Sequence, residues 1–251
     1  MPAYVIGWPI EHSRSPAMLN AAFAHLGIAA TMERRAVAPD DLAGFLRSTP
    51  ALGMSVTIPH KEAALALADD ATADARAIGA ANCLEFRDGK VIAHNTDAPG
   101  FSDSLGFTPR RAIVLGAGGA ARAIAYALRR SNVAVVGRRP AIWTASHAWS
   151  ELPALLRDAD LLVDCTSAEL HPGGELDVRL DELPHGATVA TLIYHHRTRL
   201  LERAAALGYS TLDGRGMLVH QGARALTIWT GFPAPIDVMS RALDDSLIRN
   251  A

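Results

Sequence analysis

Lysine is nearly absent from this 251-residue chain: of its 24 basic residues only Lys61 and Lys90 are lysines, and the other 22 are arginines. Cysteine is as scarce, with only Cys83 and Cys165; so few cysteines fit reduced thiols in a cytoplasmic protein and argue against a disulfide-stapled secreted fold. No apolar run approaches the roughly 20 residues that cross a bilayer, Ala187 to Ile193 being among the longer ones. Met1 to Gly7 shows no basic stretch ahead of an apolar one, so no signal peptide is expected. Neither sign of charge is in excess, since 24 basic and 26 acidic side chains give −2. That balance argues against nucleic acid or an anionic membrane as partner. What remains is 49% hydrophobic and 20% charged residues, the composition of an ordinary globular protein of one large domain or two modest ones.

Strands and helices alternate along the whole chain. Ala3–Gly7 reads as a buried strand, and Ser15-Pro16 as an N-cap and first-turn proline opening a helix to about Leu26. Strands are expected near Ala30–Arg35 and Leu52–Val56, with a helix between them opened by Pro39-Asp40-Asp41. Short helices follow at Ala63–Ala68 and Ala73–Ile78, and Asp88-Gly89 joins the strands Ala81–Arg87 and Val91–Asn95 as a hairpin. Beyond a break at Leu105–Arg110, the continuous apolar runs Arg111–Leu115, Val133–Val136, Leu161–Asp164 and Thr188–Ile193 have the look of strands buried in a parallel sheet. Helices are expected at Ala120–Arg130, Arg199–Leu207, Met217–Trp229 and Ile236–Ile248. The fold class is therefore α/β, in two domains.

Ile113-Val114-Leu115-Gly116-Ala117-Gly118-Gly119-Ala120-Ala121 sets G-x-G-x-x-A between a strand and a helix. Gly116 permits the tight turn, Gly118 lets the backbone approach a pyrophosphate, and Ala121 lets the helix pack close to the strand. The helix N-terminus then presents free N–H groups and a partial positive charge to phosphate. About 20 residues on, where an NAD site carries an acidic residue for the ribose, the strand ends Gly137-Arg138-Arg139. Two guanidiniums in that place suit a 2′-phosphate, so the expected cofactor is NADP. The competing account is a pair of solvated surface arginines.

Four polar clusters lie at strand ends in the first half. Ser13 and Ser15 sit at a helix start, where they suit a carboxylate; a helix cap also explains Ser15, though not Ser13. Thr57 and Lys61 leave a strand together around Pro59, and Lys61 is either an active ammonium or a solvated first-turn lysine. In a chain that otherwise uses arginine, a retained lysine hints that an ammonium able to deprotonate is needed. Asn82 stands at a strand start, and Asp97, in Asn95-Thr96-Asp97, is either a functional carboxylate or an N-cap. Together, on strand ends beside a nucleotide turn, they outline a small-molecule site.

In this order the motifs resemble the shikimate dehydrogenase family, and the likeness spans essentially the whole chain. It rests on Gly7-Trp8-Pro9-Ile10-Glu11-His12-Ser13-Arg14-Ser15-Pro16, Val56-Thr57-Ile58-Pro59-His60-Lys61, Ile78-Gly79-Ala80-Ala81-Asn82, Asn95-Thr96-Asp97, Gly116 to Arg122, and Gly216-Met217-Leu218-Val219-His220-Gln221. The resemblance implies a substrate domain over residues 1–100, completed by a C-terminal helix at 234–251, and a Rossmann-like NADP domain over 101–233. It implies reversible reduction of 3-dehydroshikimate to shikimate, with Lys61 and Asp97 as the catalytic pair. Ser13, Ser15, Thr57, Asn82, Tyr194 and Gln221 would bind substrate. Gly116, Gly118, Gly119, Ala120, Ala121, Arg138, Arg139, Thr166, Gly216 and Met217 would bind the cofactor.

The chain departs from the family pattern at several positions. Leu19 and Ser55 replace His and Asn, Cys83 and Ala98 replace Thr and Gly, and Gly137 stands where Asn commonly precedes Arg. Asp164-Cys165-Thr166-Ser167-Ala168-Glu169 replaces an Asn-Ala-Thr segment, with Glu169 at a usual glycine. These departures leave two rival readings: a paralogue acting on quinate or an aminoshikimate analogue, and a non-catalytic NADP-binding sensor. His195-His196 carries no zinc-type spacing, so no metal is expected. A monomer or a homodimer is compatible with the sequence.

Overall fold

The computed structural model describes residues 1–138, 141, 143–171 and 173–249. Its elements begin with β1 (Pro2–Gly7), α1 (Ser15–His25), β2 (Thr31–Ala36), a 3-10 turn at Pro39–Asp41, α2 (Leu42–Ser48), β3 (Gly53–Val56), α3 (Lys61–Leu67), β4 (Asp70–Ala71) and α4 (Ala73–Ile78). There follow β5 (Cys83–Arg87), β6 (Lys90–His94), α5 (Asp97–Leu105), β7 (Arg111–Leu115), α6 (Gly119–Ala127), β8 (Asn132–Gly137), β9 (His147–Ala148) and α7 (Leu152–Leu156). The chain ends with β10 (Leu161–Asp164), β11 (Thr188–Thr191), α8 (Arg199–Ala206), β12 (Ser210–Leu212), α9 (Arg215–Thr230) and α10 (Ile236–Ile248). Two compact units result, Met1–Gly100 with Leu218–Ala251, and Phe101–Met217.

The first unit is built on a six-stranded sheet in the order β2-β1-β3-β5-β6-β4. β1 runs parallel to β2 and β3, whereas β5 is antiparallel to both β3 and β6. The expected hairpin turn is present, with Asp88 at φ +53° and Gly89 at φ +73°, the positive-φ pair that a two-residue hairpin of this twist requires. Register then decides where the polar clusters go. Ser55 pairs with Cys83 and Cys83 with His94, so β3 and β6 end where β5 begins, and β1 ends beside β3. Every segment singled out in the first half leaves the sheet at that one end.

Sequence pattern placed only residues 234–251 with this unit, but the return begins at Leu218. Val219, Ala223, Ala225, Leu226 and Trp229 of α9 share a buried cluster with Met18, Leu19 and Phe23 of α1 and Met239 and Leu243 of α10. A helical period reveals that α9 has an apolar face, but not which core that face joins. Gly53 shows how close the packing is: an added Cβ would overlap the indole of Trp229, whose Nε1 donates to Leu84 O at 3.0 Å.

The second unit is an all-parallel sheet in the order β12-β11-β10-β7-β8-β9. Strand order reverses beside β7, which has β10 on one side and β8 on the other. In open sheets of this kind ligands collect outside the carboxyl ends of the strands at such a reversal. Its core contains the apolar runs read as buried strands: Ile113, Leu115, Leu162 and Val189 face one cluster, and Val114, Leu161, Val163 and Ala190 the other. No described helix is long and apolar enough to cross a membrane.

Gly53→Ala tests the packing of α9 on the sheet. Overpacking of this sort costs about 1–3 kcal/mol, so the urea midpoint should fall by that equivalent with an unchanged slope; an unaltered midpoint would mean that Trp229 shifts freely.

Candidate functional site

Close backbone approaches align the strand ends of the first unit. Thr57 N donates to Ile6 O at 2.9 Å and Trp8 N to Ile58 O at 3.0 Å, tying the end of β1 to the turn after β3. Gly7 makes that approach possible, because a Cβ there would lie 2.6 Å from Thr57 Cγ2 and 3.0 Å from Ile58 O. The buried His60 anchors the same turn through Nε2 to Val37 O at 2.7 Å. Lys61 is thereby delivered as the first residue of α3, and its own carbonyl accepts Ala81 N at 2.8 Å.

A hydrogen-bonded cluster forms around this lysine. Lys61 Nζ donates to Asp97 Oδ2 at 2.6 Å, with the lysine side chain 16% exposed and the aspartate 7%. Asn82 Nδ2 donates to Asp97 Oδ1 at 2.8 Å and to Thr96 Oγ1 at 2.9 Å, and it lies 3.3 Å from Gln221 Oε1. Asn82 Oδ1 accepts Thr96 N at 2.6 Å. The structure thus joins Lys61, Asn82, Asp97 and Gln221, and adds Thr96, which its place beside Asp97 in the Asn-Thr-Asp motif could have signalled.

The ordinary accounts of these residues do not hold. Asn95 Oδ1 accepts Ala98 N at 3.2 Å, so the capping bond in the first turn of α5 is made by Asn95, leaving both Asp97 oxygens for Lys61 and Asn82. Lys61 is an ion-paired residue rather than a solvated one. Ser15 is the first residue of α1 and not its N-cap; that position is taken by Arg14, without a side-chain capping bond. Ser13 and Ser15 are both buried, and Ser15 N donates to Ser13 Oγ at 3.4 Å. Arg34 Nε donates to Ser13 O at 2.8 Å, fixing this loop to β2. Thr57 is half-buried at the end of β3, and Gln221 is set on α9 against Gly100, where a Cβ would lie 2.7 Å from Gln221 N.

In the second unit the singled-out residues follow successive strand ends: Gly116 after β7, Arg138 after β8, Thr166 after β10, Tyr194 after β11, and Gly216 and Met217 after β12 in the first turn of α9. Gly116 has φ +114°, a value that favours glycine, and a Cβ would also press on Cys165 O at 3.2 Å. At Gly118, the N-cap of α6, a Cβ would meet nothing within 4 Å, so the turn is open where a phosphate would approach. Gly119 and Ala120 are half-buried at the start of α6, and Ala121 is buried beneath it. Arg138 is exposed at the end of β8, next to Gly137 and with no carboxylate in the strand. Arg139 lies outside the described residues. An open glycine turn, a helix N-terminus and a cation at the end of β8 fit a dinucleotide bearing a 2′-phosphate. Tyr194 belongs to this unit and packs edge-on against His195, with ring centroids 5.5 Å apart.

Thr166 is held by a residue the sequence treated only as a departure. Asp164 Oδ1 accepts Thr166 N at 2.8 Å, while Oδ2 is buried without a hydrogen-bond partner. Burial pushes this carboxyl up to about 6, with the charge of Glu169 adding to the rise and hydrogen bonds from Thr166 opposing it. Glu169 is buried as well, both of its oxygens lying 3.2 Å from Leu200 N at the start of α8.

A parallel sheet with a glycine turn at its reversal, and a separate α/β unit carrying an ion-paired lysine, place the chain in the class of two-unit dinucleotide-binding proteins. Comparison with known proteins narrows this. Residues 5–84 match the model of the shikimate dehydrogenase substrate binding domain, and residues 214–243 that of the shikimate 5′-dehydrogenase C-terminal domain. The chain is 39% identical to a shikimate dehydrogenase (NADP(+)) of Methanopyrus kandleri, over 97% of its own length and 94% of the relative's. Its fold is similar to that of the Thermus thermophilus shikimate 5-dehydrogenase in complex with NADP(H) and shikimate, with a TM-score of 0.88, 35% identity, and 98% and 99% of the two chains covered. It is also similar to the ligand-free 5-ketofructose reductase of a Gluconobacter strain, with a TM-score of 0.82, 30% identity and 98% of each chain covered. The chain belongs to the shikimate dehydrogenase family.

Asp164 has a measurable consequence. Its carboxyl titrates near 3.8 in the unfolded chain and near 6 when folded. Between those values the folded protein holds a proton that the unfolded chain has lost, so stability falls as pH rises through this window and the penalty is complete above it. The full effect is on the order of 3 kcal/mol. Asp164→Asn cannot ionise, so its stability relative to the parent should climb by up to that amount between about pH 4 and about pH 7. Urea unfolding across the range checks this, and a flat difference would contradict the assignment.

Proposed function

We propose that the protein is an NADP-dependent shikimate dehydrogenase that interconverts 3-dehydroshikimate and shikimate. The observation that carries this reading is the Lys61–Asp97 pair, sequestered from solvent and braced by Asn82. NADP, when bound, would supply or take up the hydride at the substrate's C3. Gly116, Gly118, Gly119, Ala120 and Ala121 would hold its pyrophosphate, Arg138 and Arg139 its 2′-phosphate, and Thr166, Gly216 and Met217 its nicotinamide end.

The chain's own residues manage charge and protons. Lys61 Nζ gives one hydrogen to Asp97 and keeps two for a substrate oxygen. Negative charge that develops on the C3 oxygen during reduction is stabilised by that ammonium, which then hands over a proton; in the oxidative direction the amine takes the proton back. Asp97 orients Lys61 and accepts from the neighbouring hydroxyl. Asn82 and Gln221 offer amides to the remaining hydroxyls. Thr57 would add a hydroxyl to this group, and Tyr194, in the second unit, is proposed as a further substrate-binding residue. Ser13 and Ser15 hold the carboxylate: Ser15 is not spent on capping, and the N-terminus of α1 favours an anion.

A second reading is favoured by one observation, the 30% identity to a 5-ketofructose reductase, whose named activity differs. Under it the protein would be a paralogue acting on another hydroxylated substrate such as quinate or an aminoshikimate. Two free cysteines, one of them buried, suit the reducing cytoplasm, and a monomer or homodimer is proposed. A sensor without catalysis would not need an ion-paired lysine and aspartate.

Purified protein mixed with shikimate or quinate, each with NADP or NAD, separates the readings by absorbance at the nicotinamide band. Shikimate with NADP should react fastest; equal rates with quinate would favour the paralogue, and no reaction with any pair the sensor. Lys61→Ala should lower kcat about 10²–10⁴-fold while shikimate KM changes little. An unchanged kcat would remove Lys61 from the chemistry.

A further inference from the structure

The connection between β8 and β9 is unusual for a parallel pair. It spans only residues 138–146, and the described ones among them form no helix, whereas parallel neighbours are usually joined by a dozen or more residues containing one. Trp143 occupies this connection. Its ring packs against the cluster formed by Ala112, Val114, Ala121 and Ile124, and its Nε1 donates to Ala117 O at 2.9 Å. The Arg122 guanidinium, one turn into α6, lies 5.9 Å from the centre of the indole ring.

Ala117 is the middle residue of the Gly-Ala-Gly turn. Its carbonyl and the N–H of Gly118 belong to one planar trans peptide and so point in opposite directions. Holding the carbonyl toward Trp143 therefore aims the Gly118 N–H away from it. Gly118 borders open space, and an amide so aimed at the start of α6 is the kind of donor that phosphate oxygens use.

We propose that Trp143 is a positioning residue for the cofactor's pyrophosphate: its indole N–H locks the Ala117–Gly118 peptide with the amide presented to ligand. This rests on the reading of the turn as an NADP site. Among the described residues of the connection, Trp143 bonds to this turn through its side chain, and glycine on both sides of Ala117 widens the conformations its peptide could otherwise adopt.

Trp143→Phe keeps a ring and loses the donor. Calorimetry on the ligand-free protein should show NADP and 2′-phospho-ADP-ribose, which both carry a pyrophosphate, binding roughly three- to tenfold more weakly. Adenosine 2′-monophosphate, which lacks one, should bind as before, and the KM for shikimate should not change. Trp143→Met, which also lacks a donor, gives the same readout if the phenylalanine variant does not fold. Equal weakening of all three nucleotides, or of none, would overturn the inference while leaving the cofactor reading intact. Failure of the parent protein to bind NADP would overturn both.

Discussion

Ala81-Asn82 is the short segment on which the charged site depends. A carboxylate and an ammonium withdrawn from water are costly unless hydrogen bonds beyond their own pairing compensate them. Asn82 supplies the second bond to Asp97, and it can do so because its backbone is built into the sheet: Val56 N donates to Asn82 O at 2.8 Å, and Asn82 N to His94 O at 3.1 Å. Its neighbour Ala81 donates to the carbonyl of Lys61. One dipeptide thus fixes the main chain of the lysine and the side chain of the aspartate, and the ammonium–carboxylate distance follows from sheet geometry. The Arg35–Glu33 pair, by contrast, is 51% and 45% exposed, and exposed pairs of that kind contribute little.

Strand direction explains how segments far apart in sequence come to share this support. In the first unit β5 is inverted relative to its neighbours, so its beginning meets the ends of β1, β3 and β6. The second unit reaches the same outcome with parallel strands only, every functional candidate sitting just past a carboxyl end. The two sheets solve one problem: presenting polar loop residues on a rigid base while keeping strand interiors apolar.

Much of this was legible because it depends on local chemistry. The Asp88-Gly89 hairpin, the Gly116 turn, the apolar strands of the second sheet and the helix at Ile236–Ile248 each carry their own signal. The edge strands β4, β9 and β12 do not; two or three residues long, they exist only because a neighbouring strand offers unpaired backbone groups. Competition between neighbours was equally hidden. Ser15 and Asp97 both look like caps, and only the fold shows that Asn95 accepts a first-turn N–H in one helix and that Ser13, not Ser15, accepts one in the other. The contact of Trp143 with the glycine turn, 26 residues away in sequence, needs the fold to be seen. The ionisation of Asp164 needs the burial of an oxygen that a one-letter code cannot express.

The departures from the family pattern become intelligible in the same terms. Ser55 and Cys83, standing where Asn and Thr are usual, are directly opposed across β3 and β5. Two positions far apart along the chain are therefore neighbours in the fold, next to Asn82. Cys83 is fully buried in the cluster that holds Met18 and Trp229, and burial pushes its thiol up, so it stays neutral and packs as a small apolar residue. Leu19, in place of a histidine, joins the same cluster. Cys83 and Leu19 thus provide apolar contact behind the site, alongside the residues that hydrogen-bond within it. Since a buried charged pair tolerates apolar packing around it only if its own bonds are complete, the bond from Asn82 to Asp97 is decisive, and Thr96 and Gln221 hold the Asn82 amide in place to make it.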